Sequence, residues 1–175
     1  MQQALKLGRR LRSTHFDAVY CSDLRRCRDT LAQIAQSAEL PEPVFDARIR
    51  EKGGGVLEGS PLGTADKEAH KRGVGIREYR PEGGESWLDV QARARDFLME
   101  VVSRHLTTTP TGKVLVVSHG GCIMELNNVI RSLKHQPSIH ANIAKNTAVY
   151  VFRVSRKSGN LSFGEVLCND TSHLS

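Results

Sequence analysis

Three short polar clusters in this chain could do chemistry together: Ser22 with Arg26, Arg50 with Glu51, and Ser118 with His119. An arginine can grip a phosphate through two parallel N–H donors, and a histidine can donate to a phosphoryl group or attack it. A glutamate beside a leaving oxygen can serve as general acid. The set suits phosphoryl transfer, in which positioning and charge stabilisation supply most of the catalysis. Each residue also has a plainer reading that stays open here. His119 could be a cap at a strand end, Arg26 a solvated side chain, and Glu51 a surface partner of Arg48 or Lys52. Arg93, four residues before Phe97, could simply lay its stem over apolar surface.

The elements that must position these groups are legible in the hydrophobic pattern. Val114–Val117 is an apolar run too short for a helix and bounded by turn formers, which predicts a strand buried on both faces. Ser118 and His119 emerge at its end, and Gly120-Gly121 lets the backbone turn into a helix with Ile123, Leu126, Ile130 and Leu133 on its buried stripe. Residues 17–21 predict a second strand. Ser22 or Asp23 is placed to cap the helix that follows, whose stripe is Leu24, Cys27, Leu31 and Ile34. Ser22, Arg26 and Thr30, at i, i+4 and i+8, share a neighbouring face, so Arg26 sits beside the strand's carboxyl end. In an open α/β sheet that is where ligands bind.

Between these strands, Pro41 and Pro43 lead into 46–51 and then Gly53-Gly54-Gly55, a loop whose backbone can approach a ligand closely. Residues 60–84 are polar and irregular, with a short helix near 65–72, and read as a lid-like insertion ended by the Pro81–Ser86 turn. A long helix follows from about 85 to 106, burying Val90, Ala94, Phe97 and Val101. Residues 148–152 and 161–167 predict a closing hairpin that turns through Ser158-Gly159-Asn160. Ala4, Leu7 and Leu11 recur at helical spacing from the very start. Helices and short strands alternate, so the expected fold class is α/β, a mostly parallel sheet flanked by helices, in one domain spanning 1–175.

The formal charge is +6 and the pI about 9.4. The basic residues are scattered, and five Phe, one Trp and three Tyr are poor equipment for stacking bases. An anionic small molecule is therefore the expected partner, with no nucleic acid and no membrane. Cys21, Cys27, Cys122 and Cys168 lack zinc-ligand spacing and read as buried, reduced thiols of a cytoplasmic protein, with no metal or other cofactor. Met1-Gln2-Gln3 runs straight into an amphipathic helix, without the features of a secretory signal. Ser118 is not a serine-hydrolase nucleophile, because Val116 stands where a G-x-S-x-G elbow needs glycine.

Four ordered motifs carry a resemblance that covers nearly the whole chain. They are Ser22-Asp-Leu-Arg-Arg26-Cys-Arg-Asp-Thr30, then Arg48-Ile-Arg-Glu51 through Glu58-Gly59, then Gly83-Gly84-Glu85-Ser86 with Arg93, and Val116-Val117-Ser118-His119-Gly120. In this order they resemble the histidine phosphatase (phosphoglycerate mutase-like) superfamily. The Arg48–Gly59 segment, the Pro81–Ser86 turn and the terminal 168–174 look most like its TIGAR-like, fructose-2,6-bisphosphatase-like branch. The resemblance implies a metal-independent phosphatase of small phosphorylated sugars. It makes Arg26 a phosphate-pocket residue, Glu51 the proton donor to the leaving alcohol and His119 a hydrogen-bond donor to the transferring phosphoryl. Ser22, Arg50 and the Gly120 N–H become substrate contacts.

The family's nucleophile is a histidine within an Arg-His-Gly at the end of its first, central strand, and no Arg-His-Gly occurs in these 175 residues. His15, His70, His105, His135, His140 and His173 do not stand in the matching context. The resemblance therefore places that strand upstream of Met1 and leads to the expectation of an N-terminally truncated domain. The absent strand is expected to leave 17–21 and 114–118 with a gap between them, through which the chain would be unstable or self-associate. Two further functions stay open: a catalytically inactive phosphate-binding or regulatory module, and a phosphoglycerate mutase-type enzyme.

Overall fold

The computed structural model describes residues 2–109, 111–139, 144–157 and 160–175. Strand β1 (Ala18–Cys21) occupies the middle of a three-stranded parallel sheet, between β2 (Pro43–Phe45) and β3 (Val114–Val117). Its register sets Cys21 beside both Phe45 and Val117. The two-residue period of the strand serves two helical layers. Val19 and Cys21 face α1 (Gln2–Leu11) and α2 (Arg25–Ile34), packing with Leu7, Cys27, Leu31 and Ile34. Tyr20 faces the other way, into a cluster with Ile49, Val90, Phe97 and Val101 of α4 (Trp87–Thr108) among its members, and Cys122 of α5 (Gly120–Leu133). Helices thus flank a parallel sheet on both faces.

The small helix α3 (Thr64–Lys71) lies in the insertion. The long α4 begins with a capping box: Asp89 N–H donates to Ser86 Oγ at 3.1 Å, and Ser86 N–H to Asp89 Oδ2 at 2.7 Å. Strands β4 (Val149–Lys157) and β5 (Asn160–Asp170) form a separate antiparallel pair. Phe152, Val154, Leu161 and Phe163 of this pair pack on Val102 and Ile130 of α4 and α5. Ser158 and Gly159 of the predicted turn lie outside the described residues, as does His140.

Several expectations are corrected. Strands β1 and β3 are not separated by a gap; they pair directly along their whole length. The open edge is on the far side of β3, towards β4, and it leaves Val114, Leu115 and Val116 half-buried, with only Val117 buried. The strand is covered above and below but not along that edge. Neither Ser22 nor Asp23 caps α2: Leu24 holds the N-cap position without a side-chain bond. Ser22 Oγ is engaged by His119 and Asp23 by Arg50. Cys21, Cys27 and Cys122 are buried free thiols, whereas Cys168 is exposed on the uncovered face of the two-stranded sheet.

The insertion is anchored rather than free-swinging. Arg77 donates to both carboxylate oxygens of Glu125 at 2.7 Å, and the Glu125 carboxylate is wholly buried. The glycine loop packs on the 82–85 turn. Gly55 holds φ at +55°, and a Cβ there would stand 2.1 Å from the Glu82 carbonyl. Val56 N–H donates to that same carbonyl at 3.0 Å, and Glu85 N–H to Gly53 O at 2.9 Å. The backbone thus approaches the 82–85 turn closely at Gly55.

Candidate active site

The carboxyl ends of β1 and β3 lie side by side, so the residues just beyond each meet. Ser22 follows β1 and His119 follows β3, and the His119 ring reaches back to both Ser22 and α2. Arg26 Nε–H donates to His119 Nδ1 at 2.8 Å, which makes Nδ1 the acceptor. The ring proton therefore sits on Nε2 and is donated to Ser22 Oγ, also at 2.8 Å. Cys27 Sγ lies 3.4 Å from Nε2. The ring is 6% exposed. Burial, and after it the Arg26 guanidinium, push the His119 pKa down to about 4, so the imidazole is neutral. Burial likewise pushes the Cys27 thiol up to about 11, leaving a protonated thiol rather than a nucleophile. Arg26 has no carboxylate in salt-bridge reach among the described residues, which leaves its charge available.

Glu51 arrives from the loop after the 3-10 turn Ala47–Ile49. Its carboxylate accepts from Gly121 N–H at 3.1 Å and from Lys52 N–H at 3.0 Å. A Cβ on Gly121 would come within 2.4 Å of Glu51 Oε1 and 2.6 Å of the Trp87 ring, so glycine alone lets the carboxylate sit against the start of α5. Gly120 opens α5, and its N–H is a first-turn donor without an intrahelical partner. Ser118 Oγ–H donates to Ile49 O at 2.8 Å, tying β3's end to the Glu51 segment.

The loop bearing Glu51 is held by Arg93, a role that the sequence did not disclose. Arg93 donates to the carbonyls of Arg48, Arg50 and Glu51 at 2.8, 2.7 and 3.0 Å, and to both oxygens of Glu85. That bond holds the Glu85 carboxyl below its usual pKa range, and Glu85 also accepts from Gly53 N–H. The only trace in the sequence is the eight-residue spacing of Glu85 and Arg93. Cys27 and Gly121 were likewise passed over as site residues, and nothing in their own sequence neighbourhood marks either.

The structure thus brings together Ser22, Arg26 and His119, with Glu51 and Gly120 on the same cavity of about 1140 Å³. Arg50 departs from expectation. Its guanidinium makes a fork onto Asp23, with the Nε bond at 2.6 Å, which holds the Asp23 carboxyl below the usual range. Among the candidate residues, Arg50 alone is committed to a surface ion pair.

Residues 1–164 match the family model of the histidine phosphatase superfamily, branch 1. A broad-specificity phosphatase of Saccharomyces cerevisiae is 33% identical over 178 residues, covering 99% of this chain and 74% of that protein. The fructose-2,6-bisphosphatase TIGAR of Xenopus tropicalis is 37% identical over 99 residues, which are 55% of this chain but only 36% of the frog protein. Among solved structures, YhfR of Bacillus stearothermophilus superposes with a TM-score of 0.77 at 27% identity, covering 99% of this chain and 84% of that one. Mycobacterial glucosyl-3-phosphoglycerate phosphatase with inorganic phosphate gives 0.77 at 25% identity, covering 99% and 86%. The fold agrees with these matches, and the chain belongs to the histidine phosphatase superfamily, branch 1.

Proposed function

We propose that this chain carries the phosphate pocket and proton donor of a phosphatase acting on small phosphorylated metabolites through a phosphohistidine, with sugar bisphosphates such as fructose 2,6-bisphosphate as the favoured class. The observation that carries the reading is that Arg26, His119 and Glu51, from three separate segments, line one cavity at the carboxyl end of β3. The yeast and frog relatives, a broad-specificity phosphatase and a fructose-2,6-bisphosphatase, support it. In this reaction a histidine nitrogen bonds to phosphorus as the bond to the ester oxygen breaks, and Glu51 gives its proton to that oxygen. Water then attacks the phosphohistidine, Glu51 takes up a proton, and inorganic phosphate leaves. Arg26 and the His119 Nε2–H stabilise the oxygens on phosphorus, the incoming phosphoryl group replacing Ser22 as the acceptor. A mutase-type reaction would use the same acid, with a second substrate's hydroxyl in place of water.

A second reading is a phosphate-binding module without turnover, for which the Arg26–His119 pair alone would serve as an anion pocket. Two measurements separate the readings. Titration of inorganic phosphate followed by ³¹P NMR should show saturable binding that Arg26→Ala and His119→Ala abolish; equal binding by both variants would sink the pocket assignment. The chain extended upstream by a strand ending in Arg-His-Gly should hydrolyse fructose 2,6-bisphosphate, and Glu51→Gln should slow it by about a hundredfold or more. Binding without turnover in the extended chain supports the inactive module.

The same reading places the protein in the cytoplasm, supported by the buried free thiols Cys21, Cys27 and Cys122. Among the described residues no helix is long and apolar enough to cross a membrane. Self-association through the open sheet is an added proposal, for which the free edge of β3 is the only support, and sedimentation of the purified chain tests it.

A further inference from the structure

Three buried residues, Gly121, Glu125 and Asn128, recur at helical spacing down one face of α5. Glu125 and Asn128 are wholly buried although both are polar, and their partners are loop groups from outside the helix. Arg77 of the insertion donates to both Glu125 oxygens at 2.7 Å. Asn128 Oδ1 accepts from Ile139 N–H at 2.8 Å, and Asn128 Nδ2–H donates to Ile139 O at 3.1 Å. Gly121 stands at the site itself. A Cβ there would lie 2.6 Å from the Trp87 ring and 2.4 Å from Glu51 Oε1, so ring and carboxylate are neighbours. Leucine at 125 would serve packing alone as well or better, because desolvation offsets most of the attraction within a buried ion pair. What the bidentate fork adds is one fixed geometry.

Arg77 is engaged at both ends. While its guanidinium holds Glu125, its carbonyl accepts from Leu88 N–H at 3.3 Å, in the first turn of α4. That donor has no partner within its own helix. Leu88 adjoins Trp87, so the residue that grips α5 also fixes the start of α4, where the Trp87 side chain leaves it. The Trp87 ring then stands against Gly121, beside the Glu51 carboxylate, with the Lys52 ammonium 5.6 Å from its centre. Arg93 holds Glu51 by the main-chain carbonyl, whereas the ring stands next to the carboxylate. We infer that Arg77 and Glu125 are positioning residues for the proton donor: their buried fork seats Trp87, and the ring confines the Glu51 carboxylate against the start of α5. The link to proton transfer rests on the phosphatase reading; the seating of Trp87 does not.

Trp87 is the only tryptophan of the chain, so its fluorescence reports on the seat directly. In the full chain, Glu125→Gln should make acrylamide quenching of that fluorescence about threefold faster, as the ring gains local mobility. Amide exchange at Gly121 and Lys52, whose N–H groups donate to the Glu51 carboxylate, should rise about tenfold or more. Arg77→Lys keeps the charge and loses the fork, and should do the same. Arg77→Met combined with Glu125→Leu separates positioning from stability, since an apolar pair of similar volume replaces a buried ion pair without loss of stability. Its Tm should return to the parental value while quenching and exchange stay fast. The inference is overturned if that double variant restores quenching and exchange together with the Tm, or if Glu125→Gln leaves both at parental values. The kinetic arm uses the extended chain described above with fructose 2,6-bisphosphate. There the double variant should lower kcat about tenfold with KM within about twofold, and a parental kcat beside fast quenching overturns the positioning role. If Glu51→Gln turns over as fast as the parent, the link to proton transfer falls with the phosphatase reading, while fast quenching still supports the seat.

Discussion

With Arg26 donating to one nitrogen of His119 and Ser22 accepting from the other, a second ring proton has no acceptor waiting and faces a guanidinium. Burial first, and the Arg26 guanidinium after it, bring the folded-state pKa down to about 4, against an ordinary 6.5. Between those values the unfolded chain binds the proton and the folded chain does not, so stability rises with pH from 4 to 6.5 and is fully present above. Two and a half units correspond to at most about 3 kcal/mol. The melting temperature should rise with pH across that range for the parent but not for His119→Gln, so the difference between the two changes from pH 4 upward and is constant by pH 7. Parallel profiles would mean that the ring takes up its proton equally readily in the folded and unfolded chains. Glu51 has a different character. Glu51→Gln keeps a carbonyl oxygen to accept from Gly121 or Lys52, so the melt should move by no more than about 1 kcal/mol while the proton donor is lost. A large loss of stability would make Glu51 a structural residue first.

At the scale of elements, the site depends on one clamp and one close approach. Arg93 joins α4 to the 48–53 loop through three carbonyls and the Glu85 carboxylate. Lysine has no planar fork with which to reach them together. Arg93→Lys should therefore cost about 2–3 kcal/mol and lower Tm by roughly 5–10 °C. Faster amide exchange at Gly53 and Glu51 should accompany it; unchanged exchange there would show that the loop is held by something else. Gly121→Ala should cost about 1–3 kcal/mol, because its methyl group would meet Glu51 and Trp87 at once. These are also the features least legible in the sequence. The apolar runs at β1 and β3, the stripes of α2, α4 and α5, and the strand-end positions of Ser22 and His119 follow from local pattern. That Arg50 would turn to Asp23, or that Arg93 would reach across to carbonyls more than forty residues away, depends on which loops tertiary packing brings together. The half-burial of Val114–Val116 has the same origin: an apolar strand shows that a neighbour is wanted, not that one is present.

On the scale of the whole molecule, the parallel sheet and the hairpin are two bodies that meet through α4 and α5 rather than through a ladder. The sheet's centre, β1, has partners on both edges, whereas β3 has one among the described residues. Neighbouring backbone groups along a strand point to opposite edges, so alternate N–H groups of β3 face β1 and the rest face its outer edge. Hydrogen exchange should divide the four β3 amides accordingly. Those bonded to β1 should exchange with the protection of the β1 core, and those on the outer edge should exchange orders of magnitude faster, since they open without any cooperative unfolding. Along β4 the edge away from β5 should behave in the same way. Uniform protection along β3 in the free chain would mean that its outer edge already has a partner in solution, and sedimentation of the same sample would show whether that partner is a second copy.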